Sequence, residues 1–380
     1  MQLVLTEDQV LLARTANDFI TATPPIARLR KLRDSRDERG YSLDRLAKMA
    51  ELGWTAIAFS EADGGLGMGF AEVVLVTEAM GKGLAPEPFI PSIVLAGRAI
   101  ALAGSAQHKT TWLGPAIAGE KVLALAHTRR GGRFDLARVP VRATQTGGSF
   151  RLTGEATQVW GGHLADAYVV AARTAGQDGE HGGITLFLVP ATAHGIASER
   201  QHRIDSFNAS LLTFDNVEVP GGDALGPIGE GHALLGRVVD EATVALTGEM
   251  LGGMAEAFDR TLSYLRERRQ FGVPIGSFPA LKHRAARLYI ELELSRSTVM
   301  AAARALDAQS ADAAQLVSLA KARLSDAYCL IANEAVQMHG GIGMTDEHDI
   351  GFFLKRARAA EMTFGDAAHH RDRFAALGGY

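Results

Sequence analysis

Apolar residues recur every three or four positions over the first third of the chain, which is the spacing of one buried helix face. Residues with this spacing are Val10, Leu11 and Phe19, then Leu43, Leu46 and Met49, then Val73, Val74 and Met80. A glycine-rich stretch at residues 63–69 and prolines at 86, 88 and 91 interrupt the spacing. Because glycine and proline end helices, we expect several helices here, with residues 63–69 as a connecting loop.

The pattern changes to short β-rich runs between about residues 121 and 227. Pairs of glycines separate the runs, as is typical of turns between strands. The runs cover residues 122–126, 149–153, 168–172, 184–189 and 211–219. Connections this short carry no crossover helix, so the strands are predicted to pair antiparallel.

Helical spacing returns after residue 228 and continues to the end of the chain. A long apolar side runs through residues 234–265, and further helices are predicted over residues 281–305 and 312–338. A length of 380 residues suits two or three structural units. The sequence therefore predicts an N-terminal helical domain at 1–119, a middle β domain at 120–227 and a C-terminal helical bundle at 228–380.

The charge balance argues against two classes of partner. A net charge of -4 provides no general field to hold nucleic acid or an anionic membrane. The most apolar stretch, residues 92–104, is interrupted by Arg98 and is shorter than the roughly 20 residues that span a bilayer. No membrane span is expected, and the first residues are predicted to form a helix because they lack the basic and apolar regions of a signal peptide.

Cysteine and histidine usage is compatible with a cytoplasmic protein that has no metal site. The single cysteine, Cys329, cannot form an internal disulfide and is interpreted as a small buried hydrophobe. His369 and His370 are adjacent, so on a helix they point to different faces, and no further ligands complete a set. We interpret this pair as part of a solvated helix.

The first segment with chemical information is YLRERRQFGVPIGSF at residues 264–278. An amphipathic helix here ends in a basic group, followed by a Phe-Gly-x-Pro-Ile turn. Arginine beside a loop can clamp a diphosphate through paired N–H donors. The alternative is a solvated helix end whose cations interact favourably with the helix dipole.

The second segment is QMHGGIGMT at residues 337–345, which follows a predicted helix. Its glycines permit a close approach of the backbone to a ligand, and Gln337 can donate and accept hydrogen bonds. A glycine stop that only ends the helix is the alternative.

Together, in this order and at this separation, the two segments resemble the acyl-CoA dehydrogenase family over essentially the whole chain. Pro86 and the sequence FDNVEVP at residues 214–220 are similar to the family as well. The resemblance implies a mainly α fold with a central β domain: an N-terminal helical domain, a middle β-barrel-like domain and a C-terminal four-helix bundle.

The resemblance also implies a chemistry and its partners. The family binds FAD at a subunit interface, and removes the α proton and the β hydride of an acyl-CoA thioester to give the trans-2-enoyl-CoA. The implied setting is lipid metabolism, such as fatty acid or sterol side-chain degradation, in a homo-oligomer or hetero-oligomer. Electron-transfer flavoprotein is the implied acceptor of the electrons.

The resemblance assigns candidate cofactor-binding residues by position. Arg268, Gln270 and Phe271 would contact the diphosphate and adenine side of FAD, and Gln337, Gly340 and Gly341 would complete that site across a dimer. In the middle domain Trp160 lies within two residues of the family's flavin-facing positions, where it would cover the isoalloxazine ring or pack in the barrel. His127 and Thr128 are further polar candidates near the flavin ring.

The chain departs from the family at the catalytic base. The family's usual glutamate falls on Phe364, which cannot take a proton, and general-base help is worth about 10²–10⁴-fold. Asp366 is two residues further on and has a shorter side chain. A minority of the family takes the base from an earlier helix, where the aligned residue is Ala242. Glu241 precedes it, and one residue on a helix rotates a side chain by about 100°.

Three functions therefore stay open. The first is a dehydrogenase with Glu241, or a carboxylate not yet identified, as its base. The second is a base-less subunit that shapes the FAD site while a related partner chain supplies the glutamate. The third is a flavin oxidase of the same fold.

Overall fold

Helices precede and follow a central sheet in this protein, in the order that the apolar spacing predicts. The structure is a computed structural model and describes residues 4–380. The helices before the sheet are α1 (Glu7–Thr21), α2 (Pro25–Asp34), α3 (Leu43–Glu51), α4 (Phe70–Lys82), α5 (Arg98–Ala103), α6 (Ala106–His108) and α7 (Gly114–Ile117). The glycine-rich stretch lies in the connection before α4, as expected, and a π-helix over Phe89–Gly97 begins directly after Pro88 and contains Pro91.

The strands are β1 (Leu123–Ala126), β2 (Val141–Thr146), β3 (Ser149–Trp160), β4 (Ala167–Arg173), β5 (Ile184–Pro190), β6 (Ile196–His202), β7 (Asn208–Pro220) and β8 (Ala224–Leu225). The helices after the sheet are α8 (Gly231–Glu267), α9 (Pro279–Asp307), α10 (Ala313–His339), α11 (Ile350–Met362) and α12 (Ala367–Leu377). Two short strands, β9 (Arg269–Gln270) and β10 (Val273–Pro274), separate α8 from α9.

The described chain divides into two compact units. The helical unit contains residues 4–35, Gly69–Ala85 and Thr243–Tyr380. The sheet unit contains Arg36–Met68 and Pro86–Ala242. The predicted domain boundaries at residues 119 and 227 stay a prediction, because these units are not continuous in sequence.

In the sheet unit, the strands follow the order β6-β7-β3-β2-β4-β5-β8, with β1 added beside β4. β3 and β7 pair antiparallel over most of their length, and alternate side chains of β3 enter the core. That core includes Leu152, Val170, Phe187, Leu212 and Phe214.

The prediction that all strands pair antiparallel is wrong at β4, which lies parallel to both β1 and β2. Short connections constrain only strands that follow one another along the chain. The antiparallel strand β3 lies between β2 and β4 in sequence, and the β2–β3 hairpin lies between β1 and β4. The chain can therefore return in the same direction without a crossover helix.

In the helical unit, α4 crosses the second half of α8 at glycines. A Cβ atom added at Gly252 would lie 1.8 Å from the carbonyl oxygen of Glu78, and one at Gly81 would lie 1.9 Å from that of Glu249. At Gly248, a Cβ would lie 2.3 Å from Oγ1 of Thr77. These backbones therefore touch, and no larger residue fits without moving a helix.

The same helix α8 provides a matched test of this packing. Gly252→Ala is expected to lower the free energy of unfolding by about 1–3 kcal/mol, because the added methyl overpacks the contact with α4. Gly236→Ala, in the first half of α8, is expected to raise it by about 0.5–1 kcal/mol, since alanine is the better helix former. No heavy atom lies within 4 Å of a Cβ added at Gly236. Urea denaturation followed by circular dichroism measures both, and equal effects would contradict the packing argument.

Candidate active site

The first motif forms a tight hairpin immediately after α8. β9 and β10 pair antiparallel with Gln270 opposite Val273, so Phe271 and Gly272 are the two turn residues. Their φ angles are +54° and +80°, which identifies a type I′ turn. A phenylalanine rarely adopts a left-handed backbone, and its ring here is 91% exposed. The turn thus holds a strained aromatic residue outward, which is more typical of a binding site than of a simple connection.

The candidate side chains of this motif are all exposed. Arg268 closes the base of the hairpin with its backbone, because its N–H donates to Tyr264 and its carbonyl accepts from Ile275, each at 2.8 Å. The side chains of Arg268 and Gln270 are exposed beside Phe271. The hairpin therefore presents a cation, an amide and an aromatic ring together.

The second motif forms the end of α10 and a short 3-10 turn after it. Gly340 has a φ of +64°, and a Cβ added at Gly340 or Gly341 would meet no heavy atom within 4 Å. Gln337 is exposed on the last turn of α10. The two glycines therefore leave an open face of backbone that another molecule can approach closely.

A stack of rings joins the two motifs. The ring of Tyr264 lies 4.4 Å from that of His339, whose other neighbour, His348, lies at 4.5 Å. The Nδ1 atom of His339 donates to the carbonyl oxygen of Ala335 at 2.7 Å, since a carbonyl can only accept. Burial lowers the pKa of His339, so the stacked imidazole is neutral at physiological pH.

These residues fit a flavin dinucleotide. Its diphosphate requires cationic donors, its adenine a flat apolar surface, and its close approach small residues. Arg268, Phe271 and the pair Gly340 and Gly341 supply these features in two segments that lie against each other. Which of them contact FAD stays a prediction.

In the sheet unit, Trp160 stands at the end of β3 just after a bulge. The register of β3 against β7 shifts between Ala156 and Val159, and Gln158 within the bulge has a φ of +52°. The backbone of Thr128 accepts a hydrogen bond from Thr157 at 3.0 Å. Bulges re-aim the side chains that follow them, so the half-buried Trp160 owes its direction to this distortion.

His127, another polar candidate of the middle domain, follows β1. Its Nδ1 atom lies 3.5 Å from the carbonyl oxygen of Leu125. Burial lowers the pKa of His127 to about 4, so it is a neutral hydrogen-bonding group at physiological pH.

Position 364 lies in a turn between α11 and α12, and this turn contains no carboxylate that is free to act as a base. Phe364 is half-buried and has a φ of +61°. Asp366 accepts a hydrogen bond from the backbone N–H of His369 at 2.8 Å and so caps α12. The interpretation of His369 and His370 as a solvated pair is wrong for His370, which is buried and bonded at 3.1 Å to the carbonyl oxygen of Phe364.

Glu241, the alternative base, is a buried ion-pair partner in the sheet unit. Its side chain is 4% exposed and binds Arg98 through both oxygens, at 2.8 and 3.0 Å. Arg237 binds the same carboxylate at 3.1 Å. To accept a proton, Glu241 would have to give up charge-assisted bonds, which are the strong ones in proteins. Its catalytic role stays an untested prediction.

Two polar residues that bind other groups in the interior, Lys321 and Arg98, were not predicted from the sequence. Lys321 lies on the buried side of α10 with Val317, Leu324 and Tyr328, at helical spacing. A lysine among apolar residues at that spacing is the signal that could have identified it.

Three family models match the chain in order. They are the N-terminal domain of acyl-CoA dehydrogenase over residues 6–120, the middle domain over 124–217 and the C-terminal domain over 229–377. The chain belongs to the acyl-CoA dehydrogenase family. The predicted family architecture is confirmed, and the protein is an oxidoreductase of a flavin-dependent family.

Individual acyl-CoA dehydrogenases are similar over most of their length. The acyl-CoA dehydrogenase FadE27 of Mycobacterium tuberculosis is 30% identical over 87% of this chain and 86% of its own. A crystal structure of the ChsE4-ChsE5 complex from the same organism matches with a TM-score of 0.89 and 29% identity, over 100% of this chain and 99% of the matched one. A variant of the Tcur3481-Tcur3483 steroid acyl-CoA dehydrogenase matches with a TM-score of 0.87 and 29% identity, over 98% of both chains.

Among residues 4–380, no helix combines the length and the apolar character that crossing a bilayer requires.

The buried His370 makes the stability of this acyl-CoA dehydrogenase depend on pH. Burial, with a contribution from Lys321, lowers the pKa of His370 to about 3. Between about pH 6.5 and pH 3 the unfolded chain holds a proton that the folded chain does not. The free energy of unfolding should therefore fall as pH falls through this window, by up to about 1.4 kcal/mol per pH unit for this residue.

Urea midpoints between pH 7.5 and 4.5 measure this dependence. His370→Gln keeps a donor for the carbonyl oxygen of Phe364 and should flatten the slope. His194→Gln is the matched control, because His194 is exposed and should leave the slope unchanged. If the free energy of unfolding depends on pH equally steeply in His370→Gln, His370 is not the source of the pH dependence.

Proposed function

We propose that this chain carries out FAD-dependent α,β-dehydrogenation of an acyl-CoA thioester as one subunit of a hetero-oligomer, in which a related chain supplies the catalytic carboxylate. The observation that carries the proposal is the turn around Phe364. Buried side chains hold its backbone, yet the residue at the base position is aromatic and Asp366 is engaged as a helix cap.

The other candidate base supports the same conclusion. Glu241 neutralises the guanidinium of Arg98, which also donates to the carbonyl oxygen of Ala58 at 2.7 Å. Removing the charge of Glu241 would cost the half-buried guanidinium of Arg98 two charge-assisted bonds. A structural ion pair accounts for Glu241 without a role in proton transfer.

The similar proteins favour a paired assembly and a bulky substrate. The ChsE4-ChsE5 structure is a complex of two different chains, and the Tcur3481-Tcur3483 protein is named a steroid acyl-CoA dehydrogenase. Both are 29% identical to this chain over almost its whole length. We therefore propose a steroid-type acyl-CoA as the substrate class, with electron-transfer flavoprotein as the electron acceptor.

The residues of this chain would bind and orient the cofactor. When bound, FAD supplies the acceptor for the hydride from the β carbon of the thioester. Arg268 and Gln270 would bind the diphosphate of FAD, and Phe271 would contact its adenine side. Gln337, Gly340 and Gly341 would complete the site. Trp160 would cover the flavin ring, so that water is kept from the reacting atoms.

Anaerobic flavin reduction separates the shared-base model from a self-sufficient enzyme. The chain purified alone should show no bleaching of flavin absorbance with short, long, branched or steroid-type acyl-CoA esters. The chain co-expressed with a related dehydrogenase subunit should bleach with the steroid-type ester. Bleaching by the chain alone, abolished in Glu241→Gln, would instead identify Glu241 as the base. In a separate aerobic assay, oxygen consumption on addition of the ester would indicate an oxidase.

Cofactor content tests the assignment of Arg268. Arg268→Ala should weaken FAD binding by about 10–100-fold, since a charge-assisted bidentate contact is worth about 1.5–3 kcal/mol. Arg287→Ala, an exposed arginine on α9, is the matched control and should keep full flavin content. Equilibrium titration of the apoprotein with FAD measures both, and equal affinities would remove Arg268 from the site.

A further inference from the structure

Buried side chains bind three backbone carbonyls around the turn that contains position 364. The turn comprises residues 363–366, between the end of α11 and the start of α12. The last carbonyls of a helix have no partner within the helix. Here the carbonyls of Glu361, Phe364 and Gly365 are all bound by side chains from α10 and α12.

Lys321 of α10 makes two of these bonds. Its ammonium donates to the carbonyl oxygens of Glu361 at 2.9 Å and Gly365 at 2.6 Å, and its third bond goes to Oγ of Ser325 at 3.1 Å. Lys321 is fully buried, although burying an ammonium is costly. The cation also lies at the C-terminal end of α11, where the helix dipole favours positive charge.

The charged and titratable groups around Lys321 come from all three helices. They are Cys329 on α10, Glu361 on α11, and Asp366, His369 and His370 around the start of α12. Burial lowers the pKa of Lys321 to about 7, while Glu361 and Asp366 oppose this shift. When Lys321 is protonated, its three protons go to two carbonyls and one hydroxyl, so that one bond holds the end of α11 and one holds the turn.

His370 holds the turn from α12. Its Nε2 atom must carry the proton, because its partner is the carbonyl oxygen of Phe364, which can only accept. The Nδ1 atom of His370 is buried and has no hydrogen-bond partner among the described residues. His370 therefore binds the turn through one ring nitrogen, while its other ring nitrogen is buried without a hydrogen bond.

The backbone of the turn has positive φ angles at two successive residues, Phe364 and Gly365. Phe364 has a left-handed φ of +61°, which is rare for a bulky side chain. Gly365 has a φ of +118°, and a Cβ there would lie 2.5 Å from His369 and 2.8 Å from His370. Strained backbone persists where the surroundings over-determine it, and such places cluster at functional sites.

We propose that Lys321 and His370 are positioning residues, which fix the 363–366 turn so that the side chain at position 364 points in one direction whichever residue stands there. The inference rests on the proposed function, because the family resemblance places the proton acceptor at this position. It adds that this chain supports the backbone of the base position although no carboxylate stands there. A glutamate placed at 364 would then be held ready to take the α proton.

The first test needs no catalysis. Hydrogen–deuterium exchange is followed by mass spectrometry in peptides that cover residues 361–367 of the FAD-loaded protein, with the partner chain co-expressed if FAD requires it. Lys321→Met should speed exchange in this turn at least about 10-fold, because local opening becomes easier. Ser318→Ala is the matched control: Ser318 is a buried polar residue of α10 whose hydroxyl bonds Ala314 and Arg373.

The second test is a gain of function. Purified without a partner chain and loaded with FAD, the Phe364→Glu protein should bleach its flavin with a steroid-type acyl-CoA ester at least about 100-fold faster than the unchanged chain treated in the same way. Adding Lys321→Met should remove that gain at saturating acyl-CoA, while the dissociation constants for FAD and acyl-CoA change less than about 2-fold. Adding Ser318→Ala to the Phe364→Glu protein should leave the faster bleaching unchanged.

Two outcomes would overturn the inference: unchanged exchange in Lys321→Met, or a Phe364→Glu protein that binds FAD and acyl-CoA without faster bleaching. Its failure is distinct from failure of the proposed function. The proposed function fails when the unchanged chain bleaches by itself, and the exchange measurement still decides the role of Lys321.

Discussion

The buried ammonium of Lys321 is the constraint on which the end of α11 and the start of α12 depend. An isolated cation in a protein interior is tolerated only where dipoles and hydrogen bonds replace its water. Here the replacements include one backbone carbonyl in the last turn of α11 and one in the turn that follows α11. The turn keeps its conformation because the lysine binds its carbonyls, and the lysine is tolerated because the turn supplies them.

Charged groups in this protein are largely used for structure at the places where catalysis would need them. In the helical unit, Arg356 and Glu249 form a buried pair at 2.6 Å, which ties α11 to α8. In the sheet unit, Glu241 neutralises Arg98, and at the turn Asp366 caps α12. Both candidate carboxylates, Glu241 and Asp366, thus already have structural partners. We therefore assign the proton acceptor to a second chain.

The three long helices after the sheet could be predicted closely, because long amphipathic helices repeat one strong signal over many turns, whereas α11 and α12 were not delimited from the sequence. α9 and α10 lie within two residues of the predicted ranges at each end. β2 was missed although Val141 and Ala143 alternate with exposed residues, and β6 was missed for lack of a signal. In β6 most side chains are polar and none is fully buried, so neither apolar alternation nor β-branched residues identify it. The parallel pairing of β4 depends on strands distant in sequence, and local patterns contain no information on it.

By itself the sequence determined the family, the order of helical and β regions, the two segments suited to FAD, and the absence of a glutamate at position 364. These follow from residue types and spacing, which sequence records directly. Only the tertiary structure decided that Glu241 is an ion-pair partner, that His370 is buried, and that Lys321 supports the turn at Phe364. Burial and the identity of a charge's partner depend on which distant segments meet, and the energetic cost of a buried charge exists only after they have met.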